Sequence, residues 1–287
     1  MPTRPVRKSS KSRPTLEGAG VRLRRAFGFG STAETDPFLL LDDFRNDVPA
    51  DYEAGFPWHP HRGIETITYV LAGTVEHRDS LGNRGTLGAG DVQWMTAGSG
   101  IIHQEMPAGD PKGRMYGFQL WANLPASLKM TPPRYQDVKG AEIPEAVDED
   151  GTRVRIVCGT YGDRKGPVEG IAAEPIYLDV AVPAGTRKAI PVEAGRHAFA
   201  YVFEGAGTFA PGPFGVDAAN RTLLLFGEGD EVAVETGVDG VRFLLVSGRP
   251  LKEPVAWHGP IVMNTDEELQ RAFEELENGT FLKARRP

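Results

Sequence analysis

Four side chains of metal-binding type occur in two short pairs. His59 and His61 flank Pro60, and further along His103 and Glu105 flank Gln104. Residues two apart in a β-strand point to the same face. Two such strands side by side would therefore aim three imidazoles and one carboxylate at a common point. Half of the chain's six histidines are placed there. Imidazole nitrogen suits Fe, Ni, Cu, Co and Zn, and a single carboxylate argues against the all-oxygen sites of Mg²⁺ and Ca²⁺. Structural zinc normally closes four positions, often with cysteines. The one cysteine, Cys158, lies outside both pairs, so a structural zinc site is disfavoured. Three histidines and one carboxylate can hold a divalent transition metal and leave coordination positions open.

The carboxylate has a rival. Glu65 shares strand parity with residues 59 and 61, so alternation does not separate it from Glu105. Pro60 fixes φ between the two histidines and stiffens their relative aim. Gly98-Ser99-Gly100 permits a close turn before His103. His77 has the same parity but lies beyond a glycine turn and reads as structural. His197 and His258 stand alone and read as ordinary.

The elements that must position these groups read as strands. Glycine (35) and proline (23) are frequent, and they separate short β-branched and aromatic runs. Runs at 65–71, 91–95 and 116–121, with glycine-containing turns between them, predict an all-β sandwich or barrel. The pattern resumes at 153–157, 176–182, 198–203, 222–226, 231–234 and 241–246. Leu71-Ala72-Gly73-Thr74 resembles Phe203-Glu204-Gly205-Ala206, and Gly90-Asp91-Val92 resembles Gly229-Asp230-Glu231, which suggests a duplicated β-domain. The second copy has no His-x-His. The expected organisation is a flexible basic tail over 1–17, a metal-bearing domain over 18–136 and a linker over 137–152. A second domain without metal, ending in a helix, follows over 153–287. That helix is announced by a capping box, Thr265 with Glu268, then a stripe of Leu269, Ala272, Phe273 and Leu276, then Gly279 at the C-cap.

Composition sets the outer limits. Hydrophobic residues at 40% and charged residues at 25% are those of a soluble globular protein. A net charge of -7 argues against nucleic acid or an anionic membrane as partner for the body of the chain. Arg4, Arg7, Lys8, Lys11 and Arg13, with no acid among them, read as a solvated tail. No apolar run is long enough to span a membrane. A single cysteine fits a reducing compartment, the cytoplasm or, in a eukaryote, the nucleus.

Longer stretches carry a family resemblance. Gly55-Phe56-Pro57-Trp58-His59-Pro60-His61-Arg62-Gly63, Gly90-Asp91-Val92-Gln93-Trp94-Met95-Thr96-Ala97-Gly98 and His103-Gln104-Glu105-Met106-Pro107 resemble the pirin family of the cupin superfamily. Asp36-Pro37-Phe38-Leu39-Leu40-Leu41-Asp42 and Gly259-Pro260-Ile261-Val262-Met263-Asn264-Thr265 extend the match. The resemblance implies a bicupin, two tandem cupin-type β-barrels with a short C-terminal helix. It implies iron, as Fe²⁺, held by His59, His61, His103 and Glu105 in the first barrel, which favours Glu105 over Glu65. Cu, Ni, Co, Zn and Mn are the alternative ions.

Two functions follow from the resemblance. One is a quercetin 2,3-dioxygenase that opens a flavonol ring with O₂, Glu105 taking the hydroxyl proton as general base. Phe56, Trp58, Trp94 and Met95 are candidate walls of its pocket. Trp58, before His59, departs from the expected pattern and bears on the pocket mouth. The other is a metal- or redox-responsive protein that binds a transcription factor or a metabolic enzyme.

Overall fold

Short β-branched runs broken by glycine turns have little choice but to pair as antiparallel strands, and they do so throughout the computed structural model, which describes residues 2–283. The described residues form two compact units, each all-β. The unit that carries His59, His61 and His103 comprises 14–32, 38–141 and 251–283. The other comprises the residues up to Arg13, 33–37 and 142–250.

Besides a two-stranded sheet, Ala256–His258 with Ile261–Met263, the histidine-bearing unit has two large sheets. One is seven-stranded, in the order Arg134–Val138, Val92–Thr96, Ile64–Ala72, Tyr116–Asn123, Phe38–Asp43, Val21–Phe27 and Arg13–Glu17. The other is four-stranded, in the order Phe56–His61, Ile101–Ala108, Thr74–Asp79 and Arg84–Leu87. The other unit holds a nine-stranded sheet whose inner side packs Val154, Ile156, Leu178, Val180, Ala200, Phe209, Phe243 and Leu245 into one apolar core.

The expected domain limits need correcting at both ends. The basic segment read as a flexible tail is ordered: Val6–Lys11 is a strand paired with Thr222–Phe226 in the second unit. Arg4 is buried, and its guanidinium donates to the carbonyls of Glu193, Arg196 and Gly227. Backbone pairing and buried carbonyls outweigh the charge pattern that suggested solvation. At the other end, residues 251–283 pack with the histidine-bearing unit rather than the second. The division between the units falls at 141/142, inside the expected 137–152 linker, but that stretch also contains the short strand Glu145–Val147.

The terminal helix runs Asp266–Glu277 with the expected capping box between Thr265 and Glu268. Its stripe of Leu269, Ala272, Phe273 and Leu276 packs with Ile261, Met263 and Phe281. No helix among the described residues is long and apolar enough to cross a membrane.

Candidate metal centre

The strands Phe56–His61 and Ile101–Ala108 lie antiparallel, with His103 opposite His59 and Ile101 opposite His61. Opposed residues of paired strands share a face, so the two sequence pairs do converge. The metal-binding nitrogens of His59, His61 and His103 all lie within 4.8 Å of one another. The ring centroids are 4.4 to 5.0 Å apart. Glu105 is outside this cluster. The register shift between His103 and Glu105 lies in the Phe56–His61 strand, where Phe56 rather than Pro57 stands opposite Glu105, while Ile101–Ala108 stays regular against Thr74–Asp79. The Glu105 carboxylate instead accepts a hydrogen bond from Thr68 Oγ1 at 3.2 Å.

Hydrogen bonding fixes how the imidazoles face. His59 Nδ1 lies 2.8 Å from the Pro57 carbonyl and His61 Nδ1 lies 3.1 Å from that of Pro260. A carbonyl only accepts, so both Nδ1 atoms carry the proton and both Nε2 atoms present a lone pair. Those two Nε2 atoms are 3.1 Å apart. Neither ring nitrogen of His103, though buried, has a hydrogen-bond partner. Burial holds His59 below its ordinary pKa and His61 and His103 well below it, the neighbouring imidazoles adding to the effect on the last two. Lone pairs of neutral rings pressed together in a dry site repel unless a cation lies between them. The residues therefore fit a metal. His59, His61 and His103 would hold the ion through imidazole nitrogens, which suit a divalent transition metal.

Burial likewise raises the Glu105 carboxyl, to about 7, against the opposing hydrogen bond from Thr68. Glu65, its rival, is buried away from the imidazole cluster and accepts a 2.7 Å hydrogen bond from Thr96. His77 sits opposite Glu105 on the next strand, buried and stacked on Tyr135 at 5.8 Å.

A cavity of about 580 Å³ opens onto the centre, with His59, His61 and Glu105 in its wall. Phe56, Phe29, Phe44, Trp121 and Trp257 supply apolar surface. Of the four wall residues proposed from sequence, Phe56 alone lines it. Trp58 is 53% exposed. Trp94 points to the opposite face of its sheet, in register with Ile67 and Leu120. Met95 is on the inner face but packed in the core with Ile64, Ile101 and Val262.

Sequence reasoning missed a polar row across the large sheet. Arg25, Asp42, Gln119, Thr68 and Gln93 are successive cross-strand neighbours and share a face. Thr68 Oγ1 lies within hydrogen-bonding distance of both Gln119 Oε1, at 3.0 Å, and Glu105. Arg25 grips Asp42 with two bonds of 2.7 and 2.8 Å and also reaches Glu17. Burial raises Asp42 to about 6 despite that pairing. Polar residues at inward positions of otherwise apolar runs (Thr66 and Thr68, then Gln119) were the available signal.

Known proteins share this sequence pattern and fold. The Pirin profile matches residues 20–122, and the Pirin C-terminal cupin domain matches 177–282. A pirin-like protein of Caulobacter vibrioides is 49% identical over 98% of this chain and 100% of its own length. Human pirin is 40% identical over 93% of this chain and 90% of its own. The crystal structure of a quercetin 2,3-dioxygenase from Acinetobacter baumannii superposes with a TM-score of 0.88 at 32% identity, covering 97% of this chain and 98% of that one. The chain belongs to the pirin family, with the two cupin domains that define it.

Proposed function

We propose that this protein is a metal-dependent ring-cleaving oxygenase of the quercetin 2,3-dioxygenase type, acting with O₂ on an enolisable aromatic such as a flavonol. The observation that carries the reading is the convergence of three neutral imidazoles, two of which (His59 and His61) line a cavity of about 580 Å³. That volume lies within the roughly 300–1,000 Å³ of small-molecule sites. His59, His61 and His103 hold the metal, and Glu105 completes the set once the ion's charge favours its ionised form. Iron as Fe²⁺ is the assigned ion, on the resemblance. When bound, the metal supplies Lewis acidity to a substrate hydroxyl.

The chain's own residues do the rest. Glu105, buried in the cavity wall beside His59 and His61, is placed to take a phenolic proton. Thr68 holds its carboxylate in place. Phe56, Trp121 and Trp257 sandwich a planar ring and exclude water. At the far wall, Asp42 and Glu17 outnumber Arg25, which favours hydroxyl donors over a carboxylate on the substrate. Cys158 is buried, its thiol donating to the Val168 carbonyl at 3.4 Å, in keeping with a reducing cytoplasm.

The test is anaerobic reconstitution with Fe²⁺, and in parallel Cu²⁺, Ni²⁺, Co²⁺ and Mn²⁺, followed by quercetin and O₂. Metal-dependent loss of flavonol absorbance with carbon monoxide release is expected. Stoichiometric metal without turnover for every ion sinks the enzyme. A second reading, a metal-responsive partner of another protein, draws support from Trp58, half exposed beside His59, and from Phe29, 76% exposed at the cavity. Pull-down that depends on the bound metal and is lost in Trp58→Ala would favour it.

A further inference from the structure

The motif Gly259-Pro260-Ile261-Val262-Met263 has no place in the centre as described so far, yet it touches the centre directly. The Pro260 carbonyl accepts the Nδ1 proton of His61 at 3.1 Å. Beside it, Ile261 bridges Arg62, and Val262 N–H donates to the Arg62 carbonyl at 3.1 Å. We infer that residues 257–263 are a strap that orients His61 toward the metal, with Lys129 and Arg62 as the positioning residues that fix the strap. This rests on the metal centre proposed above.

Lys129 is fully buried. Its ammonium has three protons and places all three: on the Gly63 carbonyl at 2.9 Å, on Asn123 Oδ1 at 2.7 Å and on the Val262 carbonyl at 3.0 Å. It thus ties the turn after His61 to the strap. The two run so close that a Cβ on Gly63, whose φ is +77°, would lie 1.9 Å from the Val262 oxygen. Only glycine fits there.

Arg62, also buried, binds in three directions. Its Nε donates to the Ser99 carbonyl at 2.8 Å, in the turn that leads to His103. Its Nη2 donates to the Phe281 carbonyl at 2.7 Å, and its Nη1 pairs with Glu275 at 2.8 Å. The guanidinium also covers the Phe281 ring at 4.2 Å.

Two buried cations beside one ligand are costly, and well-packed apolar residues are often as stable or more so. Here four of the six contacts to oxygen are to backbone carbonyls, so what the cations fix is main-chain position. Partners of this kind behind a metal-bound histidine typically change metal affinity 10- to 100-fold.

The test is Co²⁺ titration of the full-length protein, following affinity and the visible absorption of the bound ion, which reports coordination geometry. Lys129→Met is expected to bind Co²⁺ about 10- to 100-fold more weakly with a shifted spectrum. Glu275→Gln, a milder change at a half-buried residue, is expected to shift both in the same direction by less, and it decides the matter if Lys129→Met does not fold. Unchanged affinity and spectrum in the folded variants, with only a lower melting temperature, overturn the strap alone. Failure of the unaltered protein to bind Co²⁺ overturns the metal centre, and the strap with it.

Discussion

The two cupin units are built from the same kind of strand, yet their inward rows differ in kind. In the histidine-bearing unit the row Arg25, Asp42, Gln119, Thr68, Gln93 is polar from end to end. In the other, Leu224, Ala200, Leu245, Leu178 and Ile156 run across five strands in the same manner, and every one is apolar. A β-sheet fixes which side chains face inward and is indifferent to their chemistry. One interior therefore became a packed core, while the other surrounds a cavity with ionisable groups. The polar interior is stable only because its members bond to one another, as Arg25 does to Asp42 and Thr68 does to Glu105.

The largest expected effect lies at the centre of that contrast. His103→Ala should abolish metal binding at micromolar ion, measured by elemental analysis after dialysis, while the circular dichroism spectrum stays that of the unaltered protein. Metal retained at full stoichiometry would mean that the third ligand is misassigned. Next come two exchanges between the rows. Leu245→Asn leaves an unsatisfied amide in the apolar core and should cost about 3–5 kcal/mol in denaturant unfolding. Gln119→Leu, the reverse change in the polar row, should cost less than about 1 kcal/mol, because Thr68 keeps Glu105 as partner. Equal costs would show that the two interiors tolerate polarity alike.

Much of this was legible from sequence, and the exceptions have physical causes. The strand runs at 176–182 and 222–226 match Ile176–Val182 and Thr222–Phe226 because alternation and glycine turns are local signals. The capping box was readable for the same reason. The convergence of His59, His61 and His103 followed from period-two geometry alone. Glu105 keeps the strand parity of His103 yet lies outside the imidazole cluster, a distance that spacing alone does not give. Trp94 fell on the wrong face because an aromatic in a strand gives no sign of which sheet side faces the cavity. The buried Arg4 was misread because charge was weighed without the carbonyls that receive it, all of which come from residues far along the chain. The Pro260 contact to His61 was hidden likewise.

Glu105 provides a smaller and pH-dependent test of the polar interior. Its carboxyl titrates near 4.5 when unfolded and about 7 in the metal-free fold. Between those values the folded protein holds more protons than the unfolded one, so this group's contribution to stability falls as pH rises. Gln cannot titrate. Metal-free Glu105→Gln should therefore gain on the unaltered protein between pH 5 and pH 8, by about 3 kcal/mol at most. Saturating metal should reverse the sign at pH 8, since the ionised carboxylate then faces a cation. A gap that ignores both pH and metal would remove Glu105 from the centre.

The smallest effect asks whether the helix belongs, energetically, to the unit with the polar interior. Thr265 caps it, its Oγ1 accepting from the Glu268 N–H at 3.2 Å while Glu268 reaches back to the Thr265 N–H at 3.2 Å. Loss of such a cap costs about 1 kcal/mol. The helix stripe packs on Ile261 and Met263, which flank the segment holding His61. Thr265→Ala should consequently raise amide hydrogen exchange in Ile261–Met263 and in Phe56–His61, and leave Ile176–Val182 and Thr222–Phe226 unchanged. Bound metal should restore most of that protection, because ligand binding to the folded state opposes local opening. Exchange that rises equally in the apolar unit would mean that the chain opens as one body, and that the difference between the two interiors is chemical without being a difference in local stability.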